Sequence, residues 1–184
     1  MLPRLIESLR ARGPLERNAA DMAALLAGGT SAWPFVPRLA KKDGTYTRTC
    51  AYQDRRFEIL LLNWTPGAAS PIHDHGGQHC WMYVLDGRLE VEDYVRLDPA
   101  DLPGYAHVEQ SGARLLEAGE SDLRSGRFDL HRVAATGKEP AVSLHVYAAP
   151  LRQYLIYHEF ARRCETVFGS YDDVLPAYPE AVRR

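Results

Sequence analysis

Two hydrophobic periods divide the chain. Over its first part, apolar residues recur at helical spacing. Leu2, Leu5, Ile6 and Leu9 fall at i, i+3, i+4 and i+7, which puts them on one face of a helix. Leu15, Ala19, Met22, Ala23 and Leu26 repeat the pattern after Gly13-Pro14, and Gly28-Gly29 is expected to stop this second helix. A third short helix is expected over 34–41, after Trp33-Pro34. From Gly44 the period drops to two. TYTRTCAY, RFEILLLNW, HCWMYVLDG, RLEVEDYVRL, AVSLHVYAA and QYLIYHEF read as strands, rich in β-branched and aromatic residues and separated by turn residues. Leu85-Asp86-Gly87-Arg88 predicts a hairpin, because Asp-Gly suits a two-residue primed turn. Many short strands imply a β-sandwich or barrel, with the helices packed on its outside. The expected layout is one mainly β domain over 1–184: a helical segment over 1–43, a barrel over 44–168 and a C-terminal coil over 169–184.

Composition narrows the function classes. The chain has 184 residues, 46% hydrophobic and 25% charged, as expected of a soluble globular protein. Its formal net charge of −2 argues against nucleic acid or an anionic membrane as partner. Apolar runs such as Ile59–Leu62 are far too short to span a bilayer. MLPRLIESLRARG has no apolar signal core, so a cytoplasmic setting is expected. The three cysteines, Cys50, Cys80 and Cys164, make no disulfide framework. A monomer is expected.

The chemistry concentrates in Gly67-Ala-Ala-Ser-Pro-Ile-His73-Asp-His75-Gly-Gly-Gln-His79-Cys80. On an extended segment, residues two apart project to the same side, so His73 and His75 can reach one metal. Imidazole suits zinc, copper, iron and nickel. A third ligand should come from a downstream strand. His107 lies in a loop and His158 near the end of the last strands, so both read as surface residues. His131 in RFDLHRVA and His145 in AVSLHVYA both lie on plausible strands, and spacing does not choose between them.

Gly67, His73, His75 and Gly87 occupy the slots of the first motif of the cupin superfamily, with Cys80 where a Glu is usual. With Tyr46-Thr47-Arg48, Trp64, His79-Cys80, His131-Arg132-Val133 and Glu139 to Tyr147, in that order, the chain resembles the thiol dioxygenases, and among them the cysteine dioxygenases. The resemblance implies a cupin fold, a jelly-roll-like β-barrel. It implies one mononuclear Fe(II) held by His73, His75 and His131, with His145 outside the ligand set. It also implies oxidation of the thiol of L-cysteine by O2 to cysteine sulfinate. Three neutral histidines leave the metal its full charge, so an anionic thiolate binds with partial compensation.

The same resemblance gives Arg48 the substrate carboxylate, with Tyr46 on the same strand face. A guanidinium can make a bidentate pair with a carboxylate. Relatives acting on 3-mercaptopropionate tend to carry Gln at this slot, so Arg48 points to L-cysteine. Cysteamine, with no carboxylate, is disfavoured. Ser143, His145 and Tyr147 alternate along one strand face. The resemblance places Tyr147 near the substrate, with His145 hydrogen-bonded to it. In animal-type members the residues matching Cys80 and Tyr147 are joined by a thioether, and this chain has both. The competing readings are a dioxygenase for another small thiol, such as 3-mercaptopropionate, and a non-catalytic metal-binding cupin sensor.

Overall fold

The structure, a computed structural model, describes residues 2–12, 19–30 and 44–175. Among these residues, two helices, α1 (Leu2–Ala11) and α2 (Ala19–Thr30), precede twelve strands in two six-stranded sheets. The first sheet runs in the order β12 (Asp173–Val174), β1 (Tyr46–Gln53), β2 (Glu58–Trp64), β9 (Ala141–Tyr147), β4 (Cys80–Asp86) and β7 (Ser121–Arg124). The second runs β11 (Arg163–Phe168), β10 (Gln153–His158), β3 (Ile72–His73), β8 (Leu130–Ala134), β5 (Arg88–Arg96) and β6 (Val108–Glu117). All pairings are antiparallel except that of β12 with β1.

The alternation in β2 explains both layers of the core. Ile59 and Leu61 face outward and are covered by Leu5, Leu9, Met22 and Leu26 of the two helices. Leu60, Leu62 and Trp64 face inward, against Met82, Val91 and Val133. A strand buried on both faces reads as a continuous apolar run rather than an alternating one, which is why EILLLNW has so little polar interruption. The helices therefore cover the outside of the first sheet and leave the space between the sheets to the site.

Several expectations change. The second helix does not stop at Gly28-Gly29; α2 continues to Thr30. Each glycine costs about 1 kcal/mol relative to alanine inside a helix, and buried Met22 and Leu26 anchor the preceding turns. The short helix over 34–41 lies outside the described residues. β6, β7 and β11 were not legible as strands because their apolar residues do not alternate cleanly: β7 turns Asp122 and Arg124 inward and Leu123 outward, and β11 exposes Phe168. All three sit at sheet edges, where only one neighbour is needed. The segment expected as C-terminal coil instead adds β12 beside β1, with Thr49 opposite Asp173.

Asp86-Gly87 is not a hairpin. β4 and β5 belong to different sheets, and the chain turns the corner between them at Gly87, whose φ is 72°. A Cβ on this glycine would lie 2.7 Å from the Pro140 carbonyl oxygen. Asp-Gly chemistry makes the sharp turn without deciding which strands pair across it. Gly87→Ala is expected to cost at least ~1 kcal/mol, lowering the thermal midpoint by about 2–4 °C or more in a chain of this size. An unchanged melting curve would show that the corner relaxes freely.

Candidate metal centre

β3 is only two residues long, yet it brings the histidines together. Its register with β8 sets His73 opposite His131. His75 follows two residues after His73 on the same side. Asp74, between them, points the other way and is buried. Its carboxylate accepts hydrogen bonds from Gly76 N (3.0 Å), Leu155 N (3.0 Å) and the Tyr157 hydroxyl (3.0 Å). These three donors lock the alternation that aims both imidazoles inward.

One nitrogen from each of His73, His75 and His131 lies within 4.8 Å of the others. The ring centroids are 5.1, 4.6 and 4.9 Å apart, taking His73–His75, His73–His131 and His75–His131 in turn. Burial holds the imidazoles of His75 and His131 well below the ordinary histidine range, and each neighbouring imidazole adds to the effect. His73 is pushed down to about 4, chiefly by burial. At neutral pH all three are uncharged and carry a lone pair. His73 Nδ1 lies 3.0 Å from the Pro71 carbonyl oxygen; a carbonyl only accepts, so Nδ1 donates and Nε2 keeps the lone pair. Three converging neutral imidazoles fit one divalent metal of the kind imidazole favours. His73, His75 and His131 could hold one such ion.

The other histidines stand apart from this cluster. His107 is paired with Glu109 at 3.3 Å, and His158 with Glu165 at 2.7 Å, both toward the surface. His145 is on β9, in the opposite sheet, and lines the pocket next to the cluster.

That pocket is bounded by Tyr46, Arg48, His73, His131, His145 and Tyr147, among others. Tyr46 and Arg48 share the inner face of β1, while Thr47 and Thr49 are buried on the opposite face. Tyr46 stacks on Trp64 at 4.6 Å. Arg48 Nη1 donates to the Tyr154 hydroxyl at 3.3 Å. Tyr154 also packs edge-on against His73, with centroids 5.9 Å apart. Sequence reasoning missed Tyr154, because an aromatic residue in a β10-type strand carries no spacing signal of its own.

The Ser143, His145 and Tyr147 face is present, with different bonding from that expected. Trp64 Nε1 donates to Ser143 Oγ at 2.9 Å. Indole N–H can only donate, which frees the serine proton for His145 Nε2, 2.8 Å from Ser143 Oγ. His145 is thus bonded to Ser143 rather than to Tyr147; its ring stacks near Tyr147 at 6.2 Å, interplanar angle 16°. The two neighbours lie on either side of His145 along the strand, and its Nε2 faces the Ser143 side. His145 Nδ1 is 3.9 Å from Cys80 Sγ. Cys80 and Tyr147 are directly opposite in the β4–β9 ladder, both buried. Burial, then the Cys80 thiol, pushes the Tyr147 phenol far above its ordinary range, so it stays a neutral O–H.

These buried neutral histidines make the metal-free protein acid-sensitive. His145 is held down to about 3 by burial and by Arg48, and His73 to about 4, against an unfolded value near 6.5. The unfolded chain therefore takes up more protons below about pH 6.5, and stability falls as the pH drops from there toward 4. Denaturant midpoints of the metal-free protein are expected to decline from pH 7 to pH 5, and a His145→Gln variant should show a shallower decline. A pH-independent midpoint would mean that these rings charge freely in the fold.

Comparison with known proteins gives the family. Residues 16–163 match the family described as Cysteine dioxygenase type I, and the chain belongs to that family. It is 31% identical over 109 residues to cysteine dioxygenase type 1 of Danio rerio, covering 58% of this chain and 53% of that one. It is 34% identical over 107 residues to the Rattus norvegicus protein of the same name, covering 57% and 52%. The chain thus spans about half the length of the curated relatives it matches. Among solved structures it is similar to a protein with a double-stranded β-helix domain from Klebsiella pneumoniae, at 15% identity and a TM-score of 0.49, covering 66% of this chain and 91% of that one. Among the described residues no helix is long and apolar enough to cross a membrane.

Proposed function

We propose that the chain is an iron(II)-dependent thiol dioxygenase that oxidises L-cysteine to cysteine sulfinate. One observation carries this reading: a half-buried Arg48 guanidinium lines the same small pocket as His73 and His131 of the three-histidine cluster, in a chain of the cysteine dioxygenase family. The proposed ligands are His73, His75 and His131. The reaction balances as thiol plus O2 giving sulfinic acid, with both oxygen atoms ending on sulfur. Bound iron supplies the positive charge that favours the thiolate and the redox chemistry that brings O2 to it.

The remaining work falls to the chain. Arg48 holds the substrate carboxylate. Tyr154, already accepting a hydrogen bond from Arg48, keeps its own proton for that carboxylate. Tyr46, stacked on Trp64, walls the carboxylate end. Tyr147 offers a neutral O–H to the polar groups of the substrate. His145, tied through Ser143 to Trp64, keeps this wall of the pocket in place. Thiol-stimulated oxygen uptake by iron-loaded protein tests the reading. L-Cysteine should be turned over with a higher kcat/KM than 3-mercaptopropionate or cysteamine. Better turnover of 3-mercaptopropionate would reassign the substrate, and no uptake with any thiol would leave a non-catalytic metal-binding cupin.

The proposal includes a thioether between Cys80 and Tyr147. Their cross-strand pairing sets the two side chains next to each other on one sheet face, which supports this reading. The thiol S–H and one ring C–H are lost, a carbon–sulfur bond forms, and O2 takes the two hydrogens. The crosslinked chain should be two hydrogens lighter. Peptide mapping of protein that has turned over with cysteine should recover a linked pair of peptides, and anaerobically prepared protein should not. Cys80→Ser should keep its iron and part of its activity. A fully alkylatable Cys80 after turnover would return it to the role of a small packed residue.

A further inference from the structure

The nitrogen of a metal-bound imidazole that faces away from the metal is commonly held by an outer partner, which fixes tautomer and ring orientation. For His73 that partner is the Pro71 carbonyl. His131 Nδ1 is buried and makes no hydrogen bond among the described residues. What faces it is a carboxylate from the opposite sheet: Asp122 Oδ2 on β7, 3.6 Å away.

Asp122 is itself tightly held. Its side chain is 4% exposed, and it accepts a hydrogen bond from Arg124 Nε at 2.6 Å and another from Arg114 Nη2. Arg124, also buried, extends the cluster to Asp93 at 2.7 Å and to Asp129 at 2.9 Å. A buried ionic cluster is a poor source of net stability, since replacing such groups with apolar ones is often neutral or favourable. The alternation of β7 gives a reason for this one. Asp122 and Arg124 both point inward, and Asp122 is the member that reaches a histidine of the metal cluster.

We propose that Asp122, clamped by Arg124 and Arg114, is the positioning residue of His131: it accepts the Nδ1 proton and so aims the Nε2 lone pair at the metal. This rests on the reading of His131 as a ligand. The sub-ångström closing movement needed to turn 3.6 Å into a hydrogen bond is within the reach of one ring rotation. Removing such an outer partner costs 10- to 100-fold in metal affinity in comparable sites, by order of magnitude.

The experiment measures Fe(II) affinity anaerobically, by competition with a chromogenic ferrous chelator, and records the visible absorption of Co(II)-substituted protein. Asp122→Asn leaves a neutral, weaker acceptor and is expected to lower Fe(II) affinity by about tenfold or more and to shift the Co(II) bands. Asp129→Asn loosens the same Arg124 without facing His131, and should leave both readouts at wild-type values. Asp122→Glu keeps the charge for both arginines and displaces the oxygen by one methylene; it should fold and still shift the Co(II) bands. Wild-type affinity and spectrum in Asp122→Asn overturn the inference. If that variant does not fold, an unshifted spectrum in Asp122→Glu overturns it. Equal losses in Asp129→Asn and Asp122→Asn would also overturn it, because the cluster would then act through general stability. His131→Ala is the reference: wild-type iron affinity in that protein would remove His131 from the ligand set, a failure of the functional reading distinct from that of the Asp122 role.

Discussion

Single replacement of His73, His75 or His131 by alanine is expected to abolish stoichiometric iron binding and thiol-dependent oxygen uptake together. Each removes one of three converging donors that lie within 4.8 Å of one another. Loss of an outer partner alone costs a metal site about 10- to 100-fold, so loss of a ligand should exceed that. His107→Ala and His158→Ala should bind iron normally, since each ring is engaged with a surface carboxylate. His145→Ala is the informative case. It should retain iron, because His145 stands on the opposite sheet and hydrogen-bonds Ser143, while losing activity through a loosened pocket wall. Iron per chain after anaerobic reconstitution decides the matter. Stoichiometric iron in His131→Ala with iron loss in His145→Ala would exchange the roles of the two residues.

That pair also marks where sequence stops being sufficient. His73 with His75, and Tyr46 with Arg48, were legible because each pair lies on one extended segment, where the period of two alone sets a common side. His131 and His145 both point inward from plausible strands, and no local pattern states which of two sheets each strand joins. The β3–β8 pairing decides it by setting His131 directly opposite His73. The same gap explains Gly87. Its turn was readable, but partner choice across the turn depends on the whole barrel, and β4 pairs with β9 and β7 instead of β5. Tyr154 and Asp122 were invisible for a related reason. Their relevance comes from which side chains face them across the barrel, Arg48 in one case and His131 in the other. The resemblance to the thiol dioxygenases named His131 before any geometry did, and named Cys80 and Tyr147 as a pair. It also suggested a His145–Tyr147 bond, where the ring instead turns to Ser143.

The two ends of the pocket divide the labour in a way that substrate analogues can separate. In the proposed function, the histidine cluster acts on the thiol whatever else the substrate carries, and Arg48 acts only on a carboxylate. Arg48→Gln is therefore expected to lower kcat/KM for L-cysteine far more than for cysteamine, with iron content unchanged. Losing a buried charge-assisted pair costs on the order of 2–5 kcal/mol, or roughly 30-fold to several thousand-fold in kcat/KM when the pair persists into the transition state. Glutamine keeps an N–H donor and similar length, so the loss reports the charge and the bidentate fork rather than an empty space. The backbone of Arg48 is held independently of its side chain, by Asp172 Oδ2 on its N–H and the Asp172 N–H on its carbonyl, both at 2.8 Å. The strand should thus stay in place when the guanidinium is removed, and β1 should still present Tyr46 to the pocket. Steady-state oxygen uptake with the two thiols, on protein matched for iron, gives the comparison. Equal losses for cysteine and cysteamine would mean that Arg48 supports the pocket without reading the carboxylate, and the assignment of L-cysteine would lose its main support.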